Sequence, residues 1–108
     1  MPDYHNYRKC IEACLNCAAL CLHCASSCTK EKEVKMMARC IQLDMECSAL
    51  CNTTAQLMSL GSDLVKEILR TCIVACDACG DECRKFDNQH CRECAEACKK
   101  CAEESRKM

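Results

Sequence analysis

The stretch CIEACLNCAALCLHCASSC, residues 10–28, repeats cysteine at intervals of four, three, four, three and four. Steps of three and four return a side chain to one face of an α-helix, whereas a strand face needs steps of two. Such a run predicts a helix with one thiol edge. The rhythm then recurs three times. Cys10, Cys14, Cys17, Cys21, Cys24 and Cys28 make the first stripe, and Cys40, Cys47 and Cys51 the second. Cys72, Cys76, Cys79 and Cys83 make the third, and Cys91, Cys94, Cys98 and Cys101 the fourth. These are a and d positions of heptads, which in a bundle point at the common axis.

Punctuation is sparse, with one proline and two glycines. The charged run TKEKE at 29–33 reads as a connector. Gly61 followed by Ser62 and Asp63 reads as a helix end and a fresh N-cap, and Asp87 or Asn88 offers another cap. Helices are predicted at 4–29, 33–60, 63–85 and 88–106. Short connectors make neighbours antiparallel. The expected fold is all-α: an antiparallel up-down-up-down four-helix bundle with a cysteine-lined core, one domain over residues 1–108.

Leu, Ile, Val and Phe together number 17, no more than Cys alone at 17, so apolar filler is scarce. With a large net charge that scarcity would predict disorder, but the charge is only −1. Lys and Arg interspersed with Asp and Glu leave no basic patch, and aromatic residues are 3 % of the chain, so nucleic-acid binding is not expected. The start MPDYHNYRKC lacks an apolar core of the signal-peptide kind, and nowhere do 18 apolar residues run together, so neither a secretory signal nor a membrane span is expected. A cytosolic location follows. There, thiols stay reduced, and a cysteine-rich pattern points to metal binding or catalysis before disulfides.

The plain alternative is that these cysteines are small hydrophobes filling a core. Leucine would fill it better, because a thiol's smaller volume leaves cavities that cost stability. Space between converging sulfurs suits soft metals: Cu(I), Zn(II) or iron–sulfur clusters. Cu(I) held by two sulfurs, each shared between two ions, gives about one ion per cysteine and a neutral interior. Zinc with four thiolates leaves negative charge in a low-dielectric core unless many sulfurs bridge. The ferredoxin pattern C-x2-C-x2-C-x3-C-P is absent. A thiol oxidoreductase uses one C-x-x-C, and here five such pairs arise from the heptad itself.

The segments CIEACLNCAALCLHC, CIQLDMEC, CDACGDEC and HCRECAEACKKC resemble the cytosolic bacterial copper storage proteins over nearly the whole chain. That resemblance implies a four-helix bundle, assembly into a homotetramer, no enzymatic activity, and an interior filled with many Cu(I) ions on thiolates. Copper ions, further copies of the chain and a copper chaperone are the partners it implies; a zinc or general thiophilic-metal reservoir is the competing reading. Leu15, Ala19 and Leu22 lie off the seam of helix 1 and are candidates for the subunit interface.

Continuing the seam of helix 2 between Cys40 and Cys47 lands on Asp44, an accessory oxygen ligand or proton acceptor; the family also carries an acid in C-x-x-x-D-x-x-C. The continuation also meets Met37, Thr54 and Met58. The connectivity gathers Cys28, Met36, Met37, Cys83, His90 and Cys91 at one end. His90 matches a family histidine at the start of helix 4, and it is expected, with Met36 or Met37, to guide ions in. At the other end the seam meets Leu69 and Ser105, where some relatives have Cys, so that end is expected to be plugged. His23 falls on an outward position, His5 precedes the stripe, and Gly80 beside Cys79 suits close helix approach.

Overall fold

The computed structural model describes residues 2–108 and contains, among them, helices and turns and no strand. Helix α1 spans Tyr4–Cys28, α2 Ala38–Leu60, α3 Val65–Cys83 and α4 Gln89–Arg106. A single 3-10 turn, Val34–Met37, leads into α2. The predicted helices at 4–29, 63–85 and 88–106 are observed to within two residues at each end. The one predicted at 33 starts instead with that tighter turn. Met37, the last residue of that turn, is buried, and Met36 beside it is exposed.

Caps account for the start of α1 and the end of α2; Asn88 precedes α4 as expected, but its side chain makes no capping hydrogen bond, and the residue before α3 is Leu64 rather than Ser62 or Asp63. The Asp3 carboxylate accepts from the His5 N–H at 2.9 Å while the Asn6 side chain accepts from the Asp3 N–H at 3.0 Å, a reciprocal cap on α1. Gly61 ends α2 with φ of 66°, and its N–H donates to Met58 O at 3.1 Å while that of Ser62 reaches Leu57 O at 3.0 Å. The Ser62 hydroxyl then accepts from the Leu64 N–H at 3.1 Å, just before α3.

Each helix packs on two neighbours, α1 on α2 and α4, and α3 on the same pair. The result is a rod of 49 × 17 × 17 Å. Its axis is where the stripes meet: all 17 cysteines are fully buried. The flanking Ile11, Ala18, Leu43 and Ala55 close the seams between helices. Gly80 lets α3 and α4 approach, since a Cβ there would lie 3.4 Å from Cys98 Cβ. Helix α1 is the one helix among the described residues long and apolar enough to cross a membrane. Much of that apolarity is its six cysteines, which the bundle buries.

Candidate metal centre

The sulfurs form a continuous column. All 17 cysteines are free thiols. At the end where α1 stops and α4 starts, the sulfurs of Cys24, Cys28, Cys40 and Cys91 lie within 4.8 Å of one another. His90, the second residue of α4, turns Nδ1 toward them: 3.4 Å from Cys24 Sγ, 3.6 Å from Cys91 Sγ and 4.0 Å from Cys28 Sγ. Its other nitrogen, Nε2, is 3.3 Å from Glu31 Oε1.

One layer inward, Cys24, Cys40 and Cys83 share a site with Asp44. The carboxylate is fully buried. Its Oδ1 accepts from Cys79 at 3.1 Å, Cys94 at 3.2 Å and Cys83 at 3.5 Å, and its Oδ2 from Cys40 at 3.8 Å. Burial pushes this carboxyl up to about 8, and negative charge on Cys94 and Cys40 would push the same way. Its two oxygens together face four thiols, an arrangement suited to accepting protons from them.

Further in, the groups overlap. Cys21, Cys79, Cys94 and Cys98 make one set, Cys17, Cys21, Cys47 and Cys98 the next, and Cys17, Cys51, Cys76 and Cys101 a third. Cys72 lies 3.8 Å from Cys51 and Cys14 3.6 Å from Cys101. The column ends at Cys10, whose sulfur is 3.6 Å from the Ser105 hydroxyl. Because Cys17, Cys21 and Cys98 each belong to two sets, one sulfur can bridge two ions.

The proton inventory follows from packing. At the histidine end, burial raises Cys28 and pushes Cys91 up to about 11. Inside, a sulfur that ionises is stabilised by neighbours that keep their protons. Cys47 is lowered by hydrogen bonds with Cys17, Cys21, Cys51 and Cys76, whereas Cys21 is raised, chiefly by its bond with Cys17. Ionising one sulfur therefore discourages ionising the next. Among the described residues the buried charged side chains are Asp44 and Glu104, and both are acidic. With no cation inside, a metal that replaces protons one for one leaves the interior neutral.

The other seam residues take distinct places. Met37 is fully buried while Met36 is 74 % exposed, so the structure does not bring Met36 to the column. Thr54 is buried, and its hydroxyl donates to Leu50 O at 2.7 Å, which occupies its donor locally. Leu69 and Met58 are buried beside the Cys10 end. His23 and His5 are exposed. Glu31 was invisible to periodicity, because it lies in a connector with no register linking it to residue 90.

The comparisons agree with this geometry. The family model described as copper storage protein matches residues 3–108. An uncharacterised cysteine-rich protein of Bacillus subtilis, YhjQ, is 43 % identical over 99 residues, covering 92 % of each chain. The Cu(I)-bound copper storage protein BsCsp3 is 42 % identical, covers 94 % of this chain and 96 % of its own, and superposes with a TM-score of 0.90. A cytosolic copper storage protein from Streptomyces lividans, solved with five coppers, is 40 % identical over 93 % of this chain and 88 % of its own, with a TM-score of 0.89. A column of thiols in a bundle of this kind, matched from residue 3 to residue 108, places the chain in the copper storage protein family.

Proposed function

We propose that this chain is a cytosolic store of Cu(I), holding many ions on its 17 cysteine thiolates, with Asp44 and His90 as accessory ligands, so that copper is kept from harm and kept for later use. The overlap of the sulfur sets carries the reading: bridging sulfurs suit a metal content close to the sulfur count. The solved relatives named above are described as Cu(I)-bound or copper-loaded. A storage role also suits thiols that are all fully buried, since a redox enzyme must present one to its substrate.

Ions enter at the end that carries His90. Its imidazole is the outermost donor on the column, Met37 lies buried nearby in sequence to Cys40, and the opposite end is filled by Leu69, Met58 and the Ser105 hydroxyl. The chain assembles with further copies of itself, as a homotetramer by its resemblance to the family; the groove between α1 and α2, where Ile11, Leu15, Leu57 and Leu60 stand among Asn52, Gln56 and Ser59, supports a contact between chains there.

Anaerobic titration of the reduced protein tests the storage reading. Cu(I) should be taken up to roughly one equivalent per cysteine with the helical signal unchanged, whereas zinc should saturate at a few. Saturation at one or two coppers would end it. Followed in time, His90→Ala combined with Met37→Leu should slow filling and leave the final capacity nearly intact; an unaltered rate would remove the mouth from that end.

A further inference from the structure

We propose that Glu31 is a positioning residue for copper uptake: its carboxylate holds Nε2 of His90 so that the bare Nδ1 faces the sulfurs of Cys24, Cys28 and Cys91. The inference rests on the storage reading above and adds to it a residue that is no ligand.

His90 sits in the first turn of α4, so its Cα is fixed by the helix. Glu31 is fixed by the turn that closes α1: its N–H donates to Cys28 O at 3.2 Å, and the Lys30 N–H donates to Ser27 O at 3.1 Å. The acid and the thiol of Cys28 therefore belong to one short piece of backbone. They grip the imidazole from opposite sides, with Nε2 at 3.3 Å from Glu31 Oε1 and Nδ1 at 4.0 Å from Cys28 Sγ. The ring is 11 % exposed, which leaves it little room to turn over, while the Glu31 side chain at 32 % keeps contact with water.

Chemistry then selects the tautomer. A carboxylate accepts and cannot donate, so the hydrogen between Glu31 and His90 is carried by Nε2. A neutral imidazole has one N–H, which leaves the lone pair on Nδ1, the nitrogen 3.4 Å from Cys24 Sγ and 3.6 Å from Cys91 Sγ. A lone pair there accepts from thiols and can take a Cu(I) ion. The opposite tautomer would aim an N–H at three sulfurs and offer nothing to a metal. Carboxylates that orient metal-binding histidines in this way also raise the basicity of the ligand nitrogen, and their loss typically costs about 10–100-fold in affinity or activity.

The test reads the ring without copper and then with it. In the reduced apo protein at pH 8, nitrogen-15 NMR should find His90 protonated on Nε2 and bare on Nδ1. Glu31→Ala should give a mixture of tautomers, and Glu31→Gln, which keeps the shape, should do so partly. Initial uptake from a Cu(I) bicinchoninate complex should fall roughly 10-fold in Glu31→Ala, with the final number of ions unchanged. Adding Glu31→Ala to His90→Ala should slow uptake no further. A native ring with its proton on Nδ1, or on both nitrogens, would overturn the proposal. So would Glu31→Ala with the native tautomer, or further slowing in the double variant. Failure of the storage reading shows separately, as unmodified protein that takes only one or two coppers.

Discussion

Asp44 is wholly removed from water. Its carboxyl titrates near 8 in the folded chain, against about 3.9 when unfolded. Between those values the native state binds a proton that the unfolded state has lost, so stability is complete below about pH 4 and declines as pH rises toward 8. The thiol of Cys91, pushed up to about 11, acts with the same sign at higher pH. Reduced apo protein should therefore unfold more readily in urea at pH 8 than at pH 5, by roughly 2–4 kcal/mol. Asp44→Asn should flatten most of that slope; a slope that survives the substitution would show that Asp44 is not its source. Asp44 was legible in the sequence because the seam runs straight through it, and the heptad that places Cys40 and Cys47 places their neighbour too. Met37 was legible in the same way, since the seam continued back from Cys40 reaches it and it is buried, whereas Met36 was placed at that end by connectivity alone and is exposed.

At the scale of elements, the turn from α2 to α3 carries the one left-handed residue among those described. Gly61 has a φ of 66°, and a Cβ there would sit 3.0 Å from Pro2 O. Both effects oppose any larger residue. Gly61→Ala should destabilise the apo bundle by about 1–2 kcal/mol in chemical denaturation, and an unchanged midpoint would show that this turn tolerates a right-handed path. The four helices were legible from three cues: spacing of three and four, the glycine stop, and the near absence of other breakers. Helix starts were less legible. The α3 start falls at Val65 rather than 63 because Ser62 caps the Leu64 N–H and Leu64 precedes the first helical residue. The ion pair of Arg106 with Asp77 joins α4 to α3 on the exterior, where no periodic signal marks it.

At the scale of the whole molecule, the lumen takes up the cysteines and leaves few large apolar side chains for anything else. Those that remain outside are telling: Leu15 and Leu22 are each 49 % exposed and Leu60 is 79 % exposed. Leu15 and Leu60 line the groove between α1 and α2. Under the proposed assembly these side chains are the ones a neighbouring copy would cover. Sedimentation velocity should find the unmodified protein as a tetramer, and Leu15→Glu with Leu60→Glu should shift it to smaller species while copper capacity per chain stays the same. A tetramer that survives both substitutions would place the interface elsewhere. Burial decides what the sequence could say at this scale: cysteine stripes declare an axis, whereas the outer faces carry mixed charge with no repeat.

Among the described residues no Lys or Arg is buried, and this governs how such a molecule is emptied. The column behaves as an ion-exchange resin with a hydrogen form and a copper form, and electroneutrality couples the two. Filling acidifies the surroundings, and acid regenerates the resin, so a drop in local pH and a competing ligand draw on the reserve in concert.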